Sequence, residues 1–270
     1  MRVGFDLGAT KLLAAVVSST GELLRTERRE TGHATSPDRF LTLAGEILDA
    51  LDVPVHKIGI GFPGPVDFVA GVVRSSVMVE GWSEVPLAAL AEARFGVPVV
   101  VDNDVNAAAL AELQVRGGVA GSMVMVAVGT GIGGAITLGD TLWRGASSVA
   151  GEIGHVVYDP AGPPCPCGRN GCVNLWASGA AIGDDEARAQ RGAEALGSVL
   201  ASVINVLNPE LVVIGGGVAE RGESYLRPLA ARARAEAFSE ASAACRIEKA
   251  RAGYTAGAYG AALLTFEGES

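Results

Sequence analysis

Two stretches of the chain, VGFDLGATKLLAAVV at residues 3–17 and MVMVAVGTGIGGAITL at residues 123–138, repeat one design. Each is a short apolar run, a glycine-rich break and a second apolar run. Runs of this length, rich in valine and isoleucine and bounded by glycine, read as strands joined by a tight turn. The second stretch also contains a formal GxGxxG match at Gly129, Gly131 and Gly134. A dinucleotide-binding fingerprint needs a helix directly after the glycines. Here residues 135–138 are followed by Gly139-Asp140 and then Thr141-Leu142-Trp143, which reads as a hairpin, so a nicotinamide-cofactor role is set aside. A glycine-rich hairpin can still grip phosphate, because successive backbone N–H groups can converge on an anion.

Between the repeats the pattern alternates helix and strand. Residues 38–51 carry helical apolar spacing, and residues 57–61 form a strand that runs into a loop stiffened by Pro63 and Pro65. A further strand at 97–101 ends in Asp102-Asn103-Asp104, and the alanine-rich run 105–116 then reads as a helix. Polar groups thus collect at the carboxyl end of a strand, where open α/β sheets bind their ligands. Farther on come a helix at 192–207 closed by Asn208-Pro209, a strand at 211–214 entering Gly215-Gly216-Gly217, and a helix at 256–264. Two lobes divided near Asp104 and Val105 are expected.

Residues 151–172, GEIGHVVYDPAGPPCPCGRNGC, hold three of the four cysteines and one of the three histidines. Cys165 and Cys167 flank one proline, Gly168 and Gly171 allow sharp turns, and Cys172 returns a third sulfur. With His155 the set offers one nitrogen and three sulfurs, which suits a structural Zn²⁺ with a closed tetrahedral shell. The alternative is three separate thiols and a core histidine. Cys245 lies apart in an alanine-rich context and reads as a buried free thiol.

The formal charge of −9 works against attraction to nucleic-acid phosphates. No apolar run approaches the ~20 residues of a membrane-spanning helix, and the chain enters a strand almost at once. A cytoplasmic protein is expected, with small molecules and copies of itself, as a homodimer, for partners; nucleic acid and membrane are not.

Taken in order, Asp6-Leu-Gly-Ala-Thr-Lys11, Gly61-Phe-Pro-Gly-Pro-Val-Asp67, Asp102-Asn-Asp-Val-Asn106, Gly129-Thr-Gly-Ile-Gly-Gly134, Gly151-Glu-Ile-Gly-His155, Cys165-Pro-Cys-Gly-Arg-Asn-Gly-Cys172 and Ile214-Gly-Gly-Gly-Val218 resemble the ROK family of bacterial sugar kinases, within the actin-like ATPase superfamily. The resemblance covers nearly the whole chain. It implies an α/β fold of two ribonuclease-H-like lobes around a central cleft, with a small zinc-bearing loop at 155–172. The small lobe would be residues 1–104 with 256–270, and the large lobe 105–255. It also implies ATP with Mg²⁺ and a sugar as ligands. Asp104 matches the catalytic base, a carboxylate that accepts the proton of a hydroxyl as phosphoryl transfer proceeds. The alternative is that Asp104 simply caps the following helix; Asp102 is the rival carboxylate.

By the same resemblance Asn103, Glu152 and His155 bind sugar hydroxyls, with Gly64 beside them, and His155 serves zinc through its other ring nitrogen. The alternative for Glu152 is a solvated surface carboxylate. Asp6 helps to hold Mg²⁺, and Gly8, Ala9, Thr10 and Lys11 line the phosphates. Gly129, Thr130 and Gly131 hold the outer phosphates, and Gly215, Gly216 and Gly217 lie beside adenosine. Three departures stand out. Asn174 occupies the place of a glutamate that contacts the anomeric end of the sugar. The segment from Ser178-Gly179 to the helix at Gly192 is short, and residues 74–81 lack the usual Pro-Asn. The expected activity is ATP-dependent phosphorylation of a hexose or hexose-like hydroxyl, the primary 6-hydroxyl foremost. The alternative is a noncatalytic sugar-binding or sensing member of the family.

Overall fold

The first glycine-centred repeat folds as an antiparallel hairpin, β1 (Arg2–Leu7) pairing with β2 (Lys11–Val17). The computed structural model describes residues 1–8, 10–32, 35–75 and 81–266. Strand β3 (Leu23–Glu30) adds to β2 as an edge that carries exposed charges at Arg25, Arg28 and Glu30, which blunts an otherwise open row of backbone donors. Helix α1 (Pro37–Leu51) starts where Ser36 accepts from the Arg39 N–H and Pro37 needs no partner for its nitrogen. It ends at Asp52 in the left-handed region, with φ of 49°.

Parallel to β1 runs β4 (Lys57–Phe62), followed by the short ribbon β5 (Val66–Asp67) and β6 (Val72–Val73). Helix α2 (Leu87–Phe95) then leads to β7 (Val99–Asn103), parallel to β4, and to α3 (Asp104–Arg116). An aromatic chain of Phe5, Phe40, Trp82 and Phe62, with neighbouring ring centroids 4.7–6.2 Å apart, fills the space under these strands. The Trp82 indole donates to the Thr35 carbonyl at 2.7 Å, so the largest ring of the core is also fixed in direction.

The second repeat folds likewise: β8 (Ser122–Val128) pairs antiparallel with β9 (Ile132–Leu138), and β10 (Thr141–Leu142) continues the sheet as a hairpin. A strand rather than a helix after the glycines is the arrangement read from the sequence. Short helices α4 (Asn174–Ala177) and α5 (Gly179–Ile182) lead to α6 (Glu186–Leu207). That helix starts two turns before the apolar pattern does, because Asp185 caps it by accepting from the Arg188 N–H. Strand β11 (Leu211–Gly215) lies parallel to β8, and helices α7 (Glu223–Glu236) and α8 (Ser239–Ala244) precede the edge strand β12 (Arg246–Lys249). Cys245, at the end of α8, is a buried free thiol. Helix α9 (Ala256–Leu263) closes the chain.

The two five-stranded sheets have one order and one set of directions: β3-β2-β1-β4-β7 in the first and β10-β9-β8-β11-β12 in the second. By packing, the first unit takes Met1–Gly117, Arg144–Val149 and residues 254–266; the second takes Gly118–Trp143 and Ala150–Gly253. The division follows α3 instead of preceding it, since α3 lies against β4 and α9. Among the described residues no helix is long and apolar enough to cross a membrane.

Helix α9 lies on bare backbone. A Cβ on Gly59 of β4 would sit 1.7 Å from the Ala261 carbonyl oxygen, one on Gly4 of β1 2.0 Å from that of Ala258, and one on Gly260 1.6 Å from that of Ala107 in α3. Backbone atoms cannot rotate aside as a side chain can, so added volume here forces the helix off the sheet. Gly59→Ala is expected to lower Tm by about 5–10 °C in a thermal melt, whereas Gly217→Ala, with open space around its Cβ, shifts it by less than about 2 °C.

Candidate active site and metal centre

Strands β1, β4 and β7 run parallel, and register places Asp6 opposite Gly61 and Gly61 opposite Asp102. Their carboxyl ends therefore deliver Asp6, the loop after Phe62 and the Asp102-Asn103-Asp104 turn to one edge of the first sheet. At that turn Asn103 caps α3, its Oδ1 accepting from the Val105 and Asn106 N–H groups at 2.8 and 3.3 Å. The cap is therefore Asn103; Asp104 is the first helical residue, where negative charge is favoured. Asn103 Nδ2 donates to the Gly64 carbonyl at 3.2 Å, which joins the loop to the turn.

Asp102 is 1% exposed and fully committed. Its Oδ1 accepts from the Asn103 N–H at 2.7 Å and from Asn106 Nδ2 at 2.8 Å, and its Oδ2 accepts from Arg144 Nε at 2.8 Å. Both oxygens of this carboxylate are thus engaged by protein donors.

Asp6 differs. Burial pushes its carboxyl up to about 6, against the opposing pull of Lys11. Gly257, in the first turn of α9, leaves room for it: a Cβ there would fall 2.5 Å from Asp6 Oδ2. Lys11 holds its ammonium 4.0 Å from the centre of the Tyr254 ring, and its carbonyl accepts from the Gly8 N–H at 2.9 Å. Thr10 is exposed and Ala9 lies outside the described residues, as do residues 76–80 of the loop at 74–81. A desolvated carboxylate with an elevated proton affinity fits a hard cation, which would replace the lost hydration.

In the second unit, β8 and β11 are parallel and their carboxyl ends gather the glycine segments. The turn at residues 129–131 is closed by the Gly129 N–H donating to the Gly131 carbonyl at 2.8 Å, with Thr130 exposed at its tip. The Gly179 N–H donates to the Gly129 carbonyl at 2.7 Å, so the short segment after Ser178 braces the turn from behind. Gly216, with φ of 82°, passes so close to β8 that a Cβ would lie 2.4 Å from the Val128 carbonyl oxygen. Gly215 and Gly217 flank it.

The cysteine tract lies along β9. A Cβ on Gly134 would meet the Gly151 carbonyl at 2.5 Å, and one on Gly154 the Ile132 carbonyl at 2.2 Å. The last glycine of the GxGxxG match thus seats the Gly-Glu-Ile-Gly-His segment. His155, Cys165, Cys167 and Cys172 bring one ligand atom each to within 4.8 Å of one another. His155 Nδ1 is 3.6 Å from Cys165 Sγ, and Cys167 Sγ is 3.5 Å from Cys172 Sγ. Sulfurs on a tetrahedral zinc stand roughly 3.8 Å apart, so the four groups fit such an ion. The backbone N–H of Arg169 brings the Cys167 thiol down to about 6, and burial takes Cys172 up to about 12. Thiolate is the form of cysteine that binds metal, so a divalent cation at this cluster would hold its thiols deprotonated.

Asn174 follows the last cysteine by two residues and opens α4. Its Oδ1 accepts from the Ile132 N–H at 2.8 Å, which ties the end of the tract to the glycine turn. Glu152 is exposed. A surface cavity of about 850 Å³ between α7, α8 and β12 includes none of these residues. Two contributors had no local signal in the sequence: Arg144, whose partner is far along the chain, and Gly257, one small residue in an alanine-rich run.

The sequence model of the ROK family matches residues 2–195 and 184–267. A glucokinase of Halalkalibacterium halodurans is 30% identical, with 99% of this chain and 96% of that protein covered. An N-acetylmannosamine kinase of Escherichia coli is also 30% identical, with 97% of each covered. Among solved structures, a ROK family glucokinase from Streptomyces griseus in complex with glucose and AMPPNP superposes with a TM-score of 0.87 at 29% identity over 98% of both chains.

The raised Asp6 carboxyl carries a stability consequence. Its ordinary value is 3.8 and its folded value about 6, so the folded state holds the proton more tightly. Stability from this group is full below pH ~4 and is lost as pH rises through 6. Asp6→Asn is expected to raise Tm by about 2–6 °C at pH 8, with the gain shrinking to nothing as the melt is repeated toward pH 4.

Proposed function

The chain belongs to the ROK family, and we propose that it is an ATP-dependent sugar kinase of actin-like ATPase type, moving the γ-phosphoryl group of Mg-ATP to the primary 6-hydroxyl of a hexose or hexose-like substrate. The observation that carries this reading is the division of labour between the two carboxylates at the end of β7. Asp102 is buried and paired, whereas Asp104 stands at the start of α3 beside a turn held by Asn103 and Gly64.

Asp104 accepts the proton of the attacking hydroxyl, which is a weak nucleophile until that proton has somewhere to go. Little else covalent is asked of the protein, since phosphoryl transfer depends chiefly on position and charge. Asn103, Glu152 and His155 orient the sugar hydroxyls, and a site that pairs with several of them rejects analogues lacking one. Asn174 has one amide oxygen engaged with Ile132 and retains its Nδ2 as a donor, where the family glutamate would only accept. This favours a substrate whose anomeric side presents an acceptor.

Residues 8–11 and 129–131 hold phosphate oxygens through backbone N–H groups, and residues 215–217 lie beside the adenosine. Asp6 would hold the Mg²⁺ of the nucleotide, which when bound neutralises charge on the phosphates. His155, Cys165, Cys167 and Cys172 would hold a structural Zn²⁺, and with one ring nitrogen given to the metal His155 would keep the other for the sugar.

A coupled assay of ADP release with Mg-ATP against glucose, mannose, N-acetylated hexoses, amino hexoses and cyclitols tests the reading. Sugar-dependent release supports it, and binding without release makes the protein a sugar sensor. Asp104→Asn is expected to lower kcat by about 10²–10⁴, while the dissociation constant of the sugar, measured calorimetrically, changes by less than about threefold. Elemental analysis is expected to find one zinc per chain, and Cys172→Ser to lose it together with several degrees of Tm; a folded wild-type protein free of zinc contradicts the metal assignment.

A further inference from the structure

Residues 144–149 interrupt the second unit: the chain on either side of them belongs to that unit, yet they pack with the first. Three contacts secure this strap. Arg144 Nε donates to Asp102 Oδ2 at 2.8 Å, its guanidinium lies 3.5 Å from the centre of the Phe68 ring, and Ser148 Oγ accepts from the Phe68 N–H at 3.4 Å. Ser148 adopts a φ of 60°, a conformation that serine avoids unless its surroundings require it.

The ion pair is well enclosed, with 20% of the Arg144 side chain and 1% of Asp102 exposed. Its acceptor does more than balance charge. The other oxygen of Asp102 takes the Asn103 N–H and the Asn106 amide, one residue before Asp104 and two after it. The direction of the Asp102 carboxylate therefore fixes the peptide plane of the α3 cap and the first turn of the helix. Asn103 in turn reaches the Gly64 carbonyl.

We propose that Arg144 is a positioning residue for phosphoryl transfer: by orienting the Asp102 carboxylate it sets the turn that aims Asp104 and Asn103 at the substrate. This rests on the reading of Asp104 as the base. Without Arg144, Asp102 is a buried carboxylate facing amide donors alone, and it is free to swing or take up a proton. Either event loosens the Asn103 peptide, and a displacement of about 1 Å at a reacting group costs on the order of 10² in rate. Methionine is the informative replacement, because it keeps an unbranched apolar stem against Phe68 while removing the charge. Lysine restores the charge as a point donor and loses the planar contact with the ring.

The test compares wild type, Arg144→Met, Arg144→Lys, Asp102→Asn and the double variant Asp102→Asn/Arg144→Met, with rates normalised to sites counted by sugar binding. Arg144→Met is expected to lower kcat about 10–100-fold with the KM for ATP within about twofold, and Arg144→Lys to recover part of the loss. In the double variant the unpaired charge is gone and the amide introduced in place of the Asp102 carboxylate still serves Asn103 and Asn106, so kcat is expected to return to within about fivefold of wild type. A folded Arg144→Met with wild-type kcat overturns the proposal, as does a double variant no better than the worse single one. If Arg144→Met does not fold, the double variant against Asp102→Asn alone decides by the same criterion. Asp104→Asn assayed alongside separates the two readings: a wild-type rate there removes the base assignment, whereas an inactive Asp104→Asn with an unaffected Arg144→Met removes only the role of Arg144.

Discussion

The carboxylate of Asp102 is the interaction on which the first unit's working edge depends. It sits at the end of β7 with almost no water contact, and it takes every donor offered to it: a backbone N–H, an amide and a guanidinium. Leaving a buried charge unpaired costs several kcal/mol, so each of those donors is held where it is. A helix cap, a helix side chain and a strap from a distant part of the chain are thereby fixed to one strand end. Asp104, the first residue of α3, lies between two of the residues so fixed, Asn103 and Asn106.

The second unit reaches a comparable end by a different means. Its sheet has the same order and directions as the first, but its turns are held by close backbone approach more than by charge. Gly134 against Gly151, Gly154 against Ile132 and Gly216 against Val128 are contacts that a single methyl would break. The cysteine tract is fastened to the glycine turn at both of its ends, through that backing on β9 and through Asn174 on Ile132. A zinc ion in the His155, Cys165, Cys167 and Cys172 cluster would therefore stiffen the glycine turn at residues 129–131 as well as orient His155.

Much of this was legible in the sequence wherever the determinant is local. The repeated glycine breaks, the strand after Gly134 and the cysteine spacing each depend on neighbouring residues, and each appears in the fold as read. Helix α6 was legible only from its apolar half, because its first two turns are polar and depend on the Asp185 cap. The cap of α3 is Asn103, since its amide oxygen reaches two N–H groups from a non-helical position. What no local pattern carries is pairing at a distance. Arg144 meets Asp102 across intervening strands, and Gly257 makes room for a carboxylate at the other end of the chain.

The role of the Asp102-Asn103-Asp104 edge is most directly tested by following the phosphoryl group itself. Phosphorus NMR of the wild-type protein with Mg-ATP and glucose, mannose or an N-acetylated hexose should show the γ-phosphate of ATP falling as a phosphomonoester coupled to the C6 protons of the sugar appears. ATP that stays intact with every hexose offered, or that yields inorganic phosphate with no sugar phosphate, contradicts the account.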